Sequence, residues 1–326
     1  MRVVVTGSNG FVGMHVVQEL VRRGVEVLGV ARQPPDAWVQ SIHGAGATVP
    51  TRIVDLRQRG QLQASLAGES FDALIHAAVI TATLPQVERD DALEIVDVNT
   101  NGLMDALDAA RRAGVQRFVN ISSPAALGNV ADEPLTEEAR PFPISLYGIT
   151  KHSGELLTAR YAAIHGLSAT SVRIAQPYGP GERATASRAR TSPLRDWLEA
   201  AAQGQPLVAG DLTRERDWTW VGDTARGLVD LTLAAQVAQP LYHLSVGRTW
   251  PVSAAMDLIR TAFPHMHVDA TPDAPTLNPN LVAPTRPPLD ATRLHTDTGW
   301  VPHVMLEEGL PRYIEWWRTA GAPPTS

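Results

Sequence analysis

Short apolar runs punctuate the first 175 residues and alternate with stretches of helical length and period. Val3–Thr6, Glu26–Ala31, Arg52–Val54, Ala73–His76, Arg117–Ile121 and Thr170–Ile174 are rich in Val, Ile and Leu and mostly lack in–out alternation. Runs of that kind predict strands buried on both faces. Between them, Phe11–Arg23, Gln58–Leu66, Ile95–Ala113 and Leu146–His165 predict helices. Strand and helix in alternation point to an α/β fold with a doubly wound parallel sheet.

The pattern changes near Gly179, after which prolines and irregular segments increase. Seven prolines and no convincing helix lie between Pro264 and Pro288, and four of the eight tryptophans (Trp250, Trp300, Trp316 and Trp317) follow position 245. This predicts a dinucleotide-type domain over residues 1–175 and a smaller, mixed substrate lobe over 176–326. A segment near 220–250 returns to the main domain, with a strand near Leu241–Ser245 rejoining its sheet. Trp316-Trp317 is expected to pack the last helix onto the small lobe.

With 28 Lys and Arg against 34 Asp and Glu, the formal charge is −6, which gives no electrostatic reason to seek nucleic acid. The chain has no cysteine, so disulfides, cysteine nucleophiles and thiolate metal sites are excluded. His265 and His267 are two apart without a His-Glu-x-x-His pattern, and no metal is expected. No apolar run reaches the roughly 18 residues of a membrane helix. The charged-then-apolar start Met1–Thr6 is too short for a signal peptide, so the sequence reads as cytoplasmic.

The first strand runs straight into Gly7-Ser8-Asn9-Gly10-Phe11-Val12-Gly13. Gly7 allows a tight turn, Gly10 lets backbone approach a pyrophosphate, and Gly13 lets the helix pack closely on the strand. The helix start offers free N–H groups and a partial positive charge to phosphates. The second strand ends Ala31-Arg32, where a site selective for NAD carries a carboxylate. Arg32 can pair with a 2′-phosphate, so NADP is favoured; if Arg32 stacks on adenine or faces solvent, NAD is acceptable. Asp55-Leu56 lies where the chain passes the adenine, and Ala77-Ala78 lies beside the nicotinamide ribose. His76 is expected to be a packed strand-end residue.

Tyr147 and Lys151 are four residues apart, on one face of a predicted helix. A tyrosine with a fixed cation beside it can take a proton from an alcohol or give one to a carbonyl.

Taken in order, these segments resemble the extended short-chain dehydrogenase/reductase family, also described as the NAD-dependent epimerase/dehydratase family. The resemblance spans nearly the whole chain. It adds Asn99 in Val98-Asn99-Thr100-Asn101-Gly102, Ile121-Ser122-Ser123, Tyr178-Gly179-Pro180-Gly181, Arg216-Asp217-Trp218-Thr219-Trp220-Val221-Gly222-Asp223 and Thr298-Gly299-Trp300-Val301-Pro302. It implies a Rossmann-type fold and a catalytic set of Ser123, which orients the reacting oxygen, Tyr147 as acid/base, and Lys151, which holds the nicotinamide ribose and lowers the tyrosine pKa. Ser122 is read as structural. Gly7, Asn9, Gly10, Phe11, Val12, Gly13, Arg32, Asp55, Leu56, Ala77, Ala78, Asn99 and Pro177 would line the cofactor with Tyr147 and Lys151, Asn99 by propping the active-site backbone. The helices Ile95–Ala113 and Leu146–His165 resemble the family's four-helix dimer contact, with Ala159, Ala162 and Ala163 allowing close approach, so a homodimer is expected.

The reaction is less determined. Ser123 is followed by Pro124-Ala125 instead of the Asp-Glu of related dehydratases, which disfavours dehydration. Of three groups that nucleotide-sugar epimerases offer a diphosphate, an asparagine is replaced by Gln176, Arg216 is kept, and Arg286 stands closer to Asp290 than usual. The aromatic-glycine of such epimerases becomes Leu127-Gly128. Arg183, Arg188, Arg190 and Arg195 crowd a small, polar stretch that predicts a mobile loop able to clamp an anion, Arg183 being the candidate contact. Substrate candidates are therefore Ser123, Gln176, Arg183, Arg216 and Arg286. The sequence implies an NAD(P)-dependent oxidoreductase acting on a secondary alcohol or ketone of a sugar-like substrate, a sugar acid or a nucleotide sugar. A nucleotide-sugar epimerase that retains its cofactor is the alternative, and a non-enzymatic NAD(P)-sensing protein is the reading from another class.

Overall fold

Seven parallel strands carry the architecture in the computed structural model, which describes residues 1–44, 48–82, 84–130, 134–269 and 286–320. Six belong to the first half: β1 (Arg2–Thr6), β2 (Glu26–Ala31), β3 (Thr51–Ile53), β4 (Ala73–His76), β5 (Arg117–Ser122) and β6 (Ala169–Ile174). Four short strands, β7 (Gln176–Tyr178), β8 (Leu207–Val208), β9 (Glu215–Arg216) and β10 (Trp218–Trp220), pair outside the main sheet. β11 (Leu241–Leu244) then returns and pairs in parallel with β6.

The order across the sheet is β3-β2-β1-β4-β5-β6-β11. The chain winds outward from β1 through β2 to β3, then restarts at β4 on the other side. That reversal opens a crevice above the carboxyl ends of β1 and β4, where doubly wound sheets bind ligands. Val3, Val4 and Val5 are fully buried, which explains the unbroken apolar run of β1, and all six residues of β5 are buried, Arg117, Asn120 and Ser122 among them. Each such aliphatic side chain stabilises the fold by roughly 1.5–3 kcal/mol.

Helices α1 (Phe11–Arg22), α2 (Ala37–His43), α3 (Gln61–Ser65), α4 (Pro85–Asp90), α5 (Ala92–Val96), α6 (Gly102–Ala113), α7 (Leu146–His165) and α9 (Val221–Leu233) accompany the sheet, whereas α8 (Pro193–Ala202) belongs to the second core beyond it. The helix expected over Ile95–Ala113 is divided. A π-helical turn over Asp97–Asn101 joins α5 to α6, and inside it Asn99 is buried. Its amide accepts from the backbone N–H of Ile80 at 2.8 Å and donates to the Ile80 carbonyl at 3.0 Å. Widened turns of this type recur at functional sites.

α7 starts where the Ser145 hydroxyl accepts from the Gly148 N–H at 3.1 Å and stops at Gly166, which takes a positive φ of 66°. α2 has no counterpart in the periodicity reading. Asp36 caps it, accepting from the Val39 N–H at 2.9 Å. Three long-range contacts fix it and its neighbour α1 to the segment after β7: Trp38 Nε1 donates to the Gly181 carbonyl at 3.2 Å, Asp36 pairs with Arg183 at 2.7 Å, and His15 Nε2 meets the Pro180 carbonyl at 2.8 Å.

A second core forms beyond the sheet from Tyr178, Trp197, Trp218, Trp250, Leu310 and Trp317. Trp317 packs into this core, and Trp316, at its margin, also meets Trp38 edge-on at 5.2 Å. Most of the proline-rich stretch expected between Pro264 and Pro288 lies outside the described residues. Among the described residues no helix is long and apolar enough to cross a membrane.

Candidate active site

One cavity of about 780 Å³ sits in the crevice at the carboxyl ends of β1 and β4. Gly7, Asn9, Gly10, Phe11, Val12 and Gly13 form one end of it. The glycines are required by space. A Cβ on Gly13 would lie 2.1 Å from the Gly7 carbonyl oxygen, and one on Gly7, whose φ is +68°, would lie 2.7 Å from the Ala78 nitrogen. Gly10 caps α1 with no side-chain hydrogen bond, so the first-turn N–H groups face the cavity without a side-chain acceptor of their own. This backbone cradle fits a pyrophosphate. Asn9 is held by a 2.8 Å bond to the Gln33 carbonyl.

Arg32, Asp55, Leu56, Ala77, Ala78 and Pro177 all line the same cavity. Arg32 is exposed, and its charge acts on the Asp55 carboxylate. Hydrogen bonds from Arg57, above all, hold Asp55 below the usual carboxylate range, and Arg57 Nε reaches both its oxygens at 2.9 Å. Asn99 does not line the cavity. It donates to the Thr150 hydroxyl at 3.1 Å as well as to Ile80, and so ties the loop after β4 to α7 from behind.

Ser123, Tyr147 and Lys151 converge on the middle of the cavity. β5 delivers Ser123, whose oxygen accepts from the Ala125 N–H at 3.2 Å. α7 delivers the other two, one turn apart, with the Lys151 ammonium 5.8 Å from the Tyr147 ring centre. Lys151 is buried and donates to the Ile121 carbonyl at 2.6 Å. Burial pulls its pKa down to about 8, opposed by the charge of Glu155. Glu155 is itself clamped by Arg173 at 2.7 and 2.8 Å and by the Ser122 hydroxyl at 2.5 Å, so Ser122 faces away from the cavity chemistry. Burial pushes the Tyr147 phenol up, while a hydrogen bond with Ser123, the charge of Arg188 and a hydrogen bond with Thr81 pull it back. Lys151, which the sequence points to for that role, stands over the phenol ring, and Arg188 adds a second positive charge that acts on the phenol. His76 is a packed residue bonded to the Thr6 hydroxyl at 2.9 Å, and burial lowers its pKa to about 3.

The far end carries Gln176, Arg216 and Arg286. Arg286 Nε donates to the Gly128 carbonyl at 2.6 Å. Gly128 has a φ of +70°, and a Cβ there would lie 1.8 Å from the Phe142 oxygen, which explains the glycine after Leu127. Burial pulls Arg216 down to about 10, helped by the like charges of Arg214 and Arg286. Burial also lowers Arg286. Two guanidinium groups that oppose each other's charge in one cavity make a site for an anion of more than one charge. Pro124 and Ala125 line the wall beside Ser123, where a related dehydratase would place carboxyl groups.

Part of the arginine-rich stretch forms a bridged turn, a hairpin over Thr185–Arg188, that the small, polar residues do not announce. Thr185 and Arg188 exchange backbone bonds of 2.9 and 3.0 Å, and the Ser187 carbonyl accepts from the Thr81 N–H at 2.8 Å. Arg183 lines the cavity but turns to Asp36, on the side of the glycine turn. Sequence reasoning missed Thr81, Glu182 and the reach of Arg188. Their signal is purely tertiary.

The family model for the NAD dependent epimerase/dehydratase family matches residues 3–247. The chain is 27% identical to the UDP-glucose 4-epimerase of Mycolicibacterium smegmatis over 98% of its own length and 99% of the relative's. It is 27% identical to the dTDP-glucose 4,6-dehydratase of Streptomyces niveus, covering 98% and 93% of the two chains. The solved UDP-glucose 4-epimerase of Thermus thermophilus, in complex with NAD, superposes with a TM-score of 0.81 at 26% identity, over 98% of this chain and 100% of that one.

Proposed function

Because the chain belongs to the NAD dependent epimerase/dehydratase family, we propose that it transfers hydride to or from a secondary alcohol or ketone on a nucleotide-linked sugar. One observation carries this reading: the Ser123–Tyr147 pair lies in the same cavity as the glycine cradle, with Arg216 and Arg286 at the opposite end. We assign residues 1–175 to the dinucleotide and 176–326 mainly to the sugar nucleotide, with the segment near 220–250 returning to the sheet.

A bound nicotinamide dinucleotide supplies the hydride donor and acceptor. Gly7, Gly10 and Gly13 would hold its pyrophosphate, and Lys151 its nicotinamide ribose. The Ser123 hydroxyl orients the substrate oxygen. The Tyr147 phenolate takes the alcohol proton as the carbonyl forms, and the phenol returns it in the reverse direction. Arg216 and Arg286 hold the diphosphate, and Gln176 closes that end. NAD fits the family and the relatives. Arg32 is the residue that would admit a 2′-phosphate, and the neighbouring Asp55 carboxylate opposes it.

The second reading is an epimerase that retains its cofactor. It is favoured by the likeness to two UDP-glucose 4-epimerases. Incubation with UDP-sugars and NAD or NADP separates the two. Bulk NAD(P)H appearing at stoichiometry with oxidised sugar supports the dehydrogenase. An inverted sugar with no bulk NAD(P)H, and cofactor carried through purification, supports the epimerase. No reaction with any nucleotide sugar or sugar acid, and no binding of UDP, would sink both.

The exposed side chains of Ile149, Leu156 and Ile164 on α7, with Leu93 on α5, leave an apolar face on the helices expected to form a dimer. We infer a homodimer across α6 and α7. A monomer mass by light scattering at micromolar concentration would reject it.

A further inference from the structure

The hairpin after Gly181 has a buried anchor. Glu182 is fully buried; its carboxylate accepts from Arg188 Nη2 at 2.6 Å, the Ser192 N–H at 2.8 Å and the Ser192 hydroxyl at 2.5 Å. The opposite edge is bonded to Thr81 through the Ser187 carbonyl. Thr81 also hydrogen-bonds the Tyr147 phenol. The turn is thus fixed at both sides against the loop that touches the acid/base residue. Between these anchors Arg188 lies over the Phe11 ring, 5.9 Å from its centre, inside the catalytic cavity.

We propose that Arg188, carried into the cavity by this hairpin, is a positioning residue whose fixed charge stabilises the ionised form of Tyr147. Its meaning for catalysis rests on the proposed role of Tyr147. The groups that face the phenol are few. Ser123 comes from the end of β5, Thr81 from the loop after β4, Lys151 from α7 and Arg188 from the hairpin. Glu88 of α4 is engaged by the Leu146 N–H at 2.9 Å. Glu155 acts on Lys151 from behind, and the charge of Lys151 in turn lowers buried His76. Lys151 directs its ammonium to the Ile121 carbonyl, whereas the charge of Arg188 acts on the phenol. Inside the cavity a cation is less screened than in bulk water, so Arg188 favours the phenolate against the burial that opposes it. Glu182 sets how much of that charge reaches Tyr147, because it neutralises part of the guanidinium.

The test is an NMR titration of the whole chain without substrate or cofactor. Tyrosine is labelled at Cζ, and the Tyr147 signal is identified among the five tyrosines by its loss in Tyr147→Phe. Arg188→Gln moves the Tyr147 midpoint to higher pH, and Arg188→Lys, which keeps the charge, stays near the wild-type value. Turnover of Arg188→Gln at neutral pH falls by roughly tenfold, and its pH profile shifts in the same direction as the midpoint. An unmoved midpoint in Arg188→Gln, or an equal displacement in Arg188→Lys, overturns the proposal. Should Arg188→Gln not fold, Glu182→Gln decides. Removal of the counter-charge lowers the midpoint if Arg188 acts by its field, and raises it if the hairpin merely packs. The titration needs no turnover, so an inactive protein that shows these midpoints would refute the proposed activity alone.

Discussion

The Lys151 ammonium donates to the Ile121 carbonyl at 2.6 Å, two residues before the hydroxyl of Ser123. The catalytic strand and the catalytic helix are thereby locked in register, and the lysine is held where a ribose would meet it. Its cost is burial, which lowers its pKa to about 8. A base with a depressed folded pKa contributes stability that is present above its unfolded value of about 10.4 and is lost as pH falls through about 8. Lys151→Met is therefore expected to lose turnover by about 10²–10⁴-fold while its melting temperature at neutral pH does not fall. Its stability advantage over wild type should shrink above pH 10. Thermal melts at pH 7 and pH 10 check this, and a collapse of Lys151→Met at neutral pH would refute it.

Asn99 reaches the acid/base residue through two intermediates. It brackets Ile80 by both backbone groups, and Thr81, the next residue, bonds the Tyr147 phenol. Asn99→Ala leaves the buried Ile80 N–H and C=O unpaired, at a cost of roughly 2–4 kcal/mol. Urea unfolding should show that loss together with a fall in kcat larger than the change in KM. Unchanged stability would remove Asn99 from this role.

Burial lowers both Arg216 and Arg286, and the charge of Arg286 lowers Arg216 further, so a dianion bound at the cavity end they line would relieve that repulsion. Each charge-assisted contact is worth about 1.5–3 kcal/mol. UDP binding by calorimetry is expected to weaken roughly ten- to hundredfold in Arg286→Ala and in Arg216→Ala, and to become less salt-dependent. Wild-type UDP affinity in both variants would place the diphosphate elsewhere.

Asp217 is half-buried at the cavity wall between β10, Ser245 and Leu289, accepting from the Ser245 hydroxyl at 2.6 Å and the Leu289 N–H at 3.3 Å. Burial raises its pKa to about 6 despite these bonds. The sign follows from proton uptake: the folded chain binds this proton more tightly, so the associated stability is present below the unfolded value of about 3.9 and disappears as pH rises through about 6. The stability of Asp217→Asn relative to wild type should increase between pH 4 and pH 7. Urea midpoints at both values measure it, and a difference independent of pH would disprove the assignment.

Much of this site was legible in the chain because its signals are local. The glycines at 7, 10 and 13 are demanded by contacts within one strand-turn-helix unit, and Tyr147 with Lys151 follows from one helical turn. The strands of the parallel sheet were legible for a similar reason, since burial on both faces leaves short runs rich in Val, Ile and Leu, as at Val3–Val5 of β1. What escaped depends on distant partners. The break at Asp97–Asn101 arises because Asn99 is drawn to Ile80. α2 is short and is held by contacts more than a hundred residues away. The hairpin reads as a loose polar loop until Glu182 and Thr81 are placed beside it. The choice between NAD and NADP rested on Arg32 alone, and the Asp55 carboxylate that offsets it becomes visible only in the fold.

The three bonds that fasten α1 and α2 to Pro180, Gly181 and Arg183 join the helix that follows the glycine turn to the segment after β7, which on the proposed reading leads to the sugar's side of the cavity. Two guests sharing a partition cannot have independent affinities if either one displaces it. By reciprocity, whatever tightening the dinucleotide confers on the sugar, the sugar must confer in equal measure on the dinucleotide. A chain built this way has a reason to grip its redox partner hardest while the sugar is still on board, and to loosen both together.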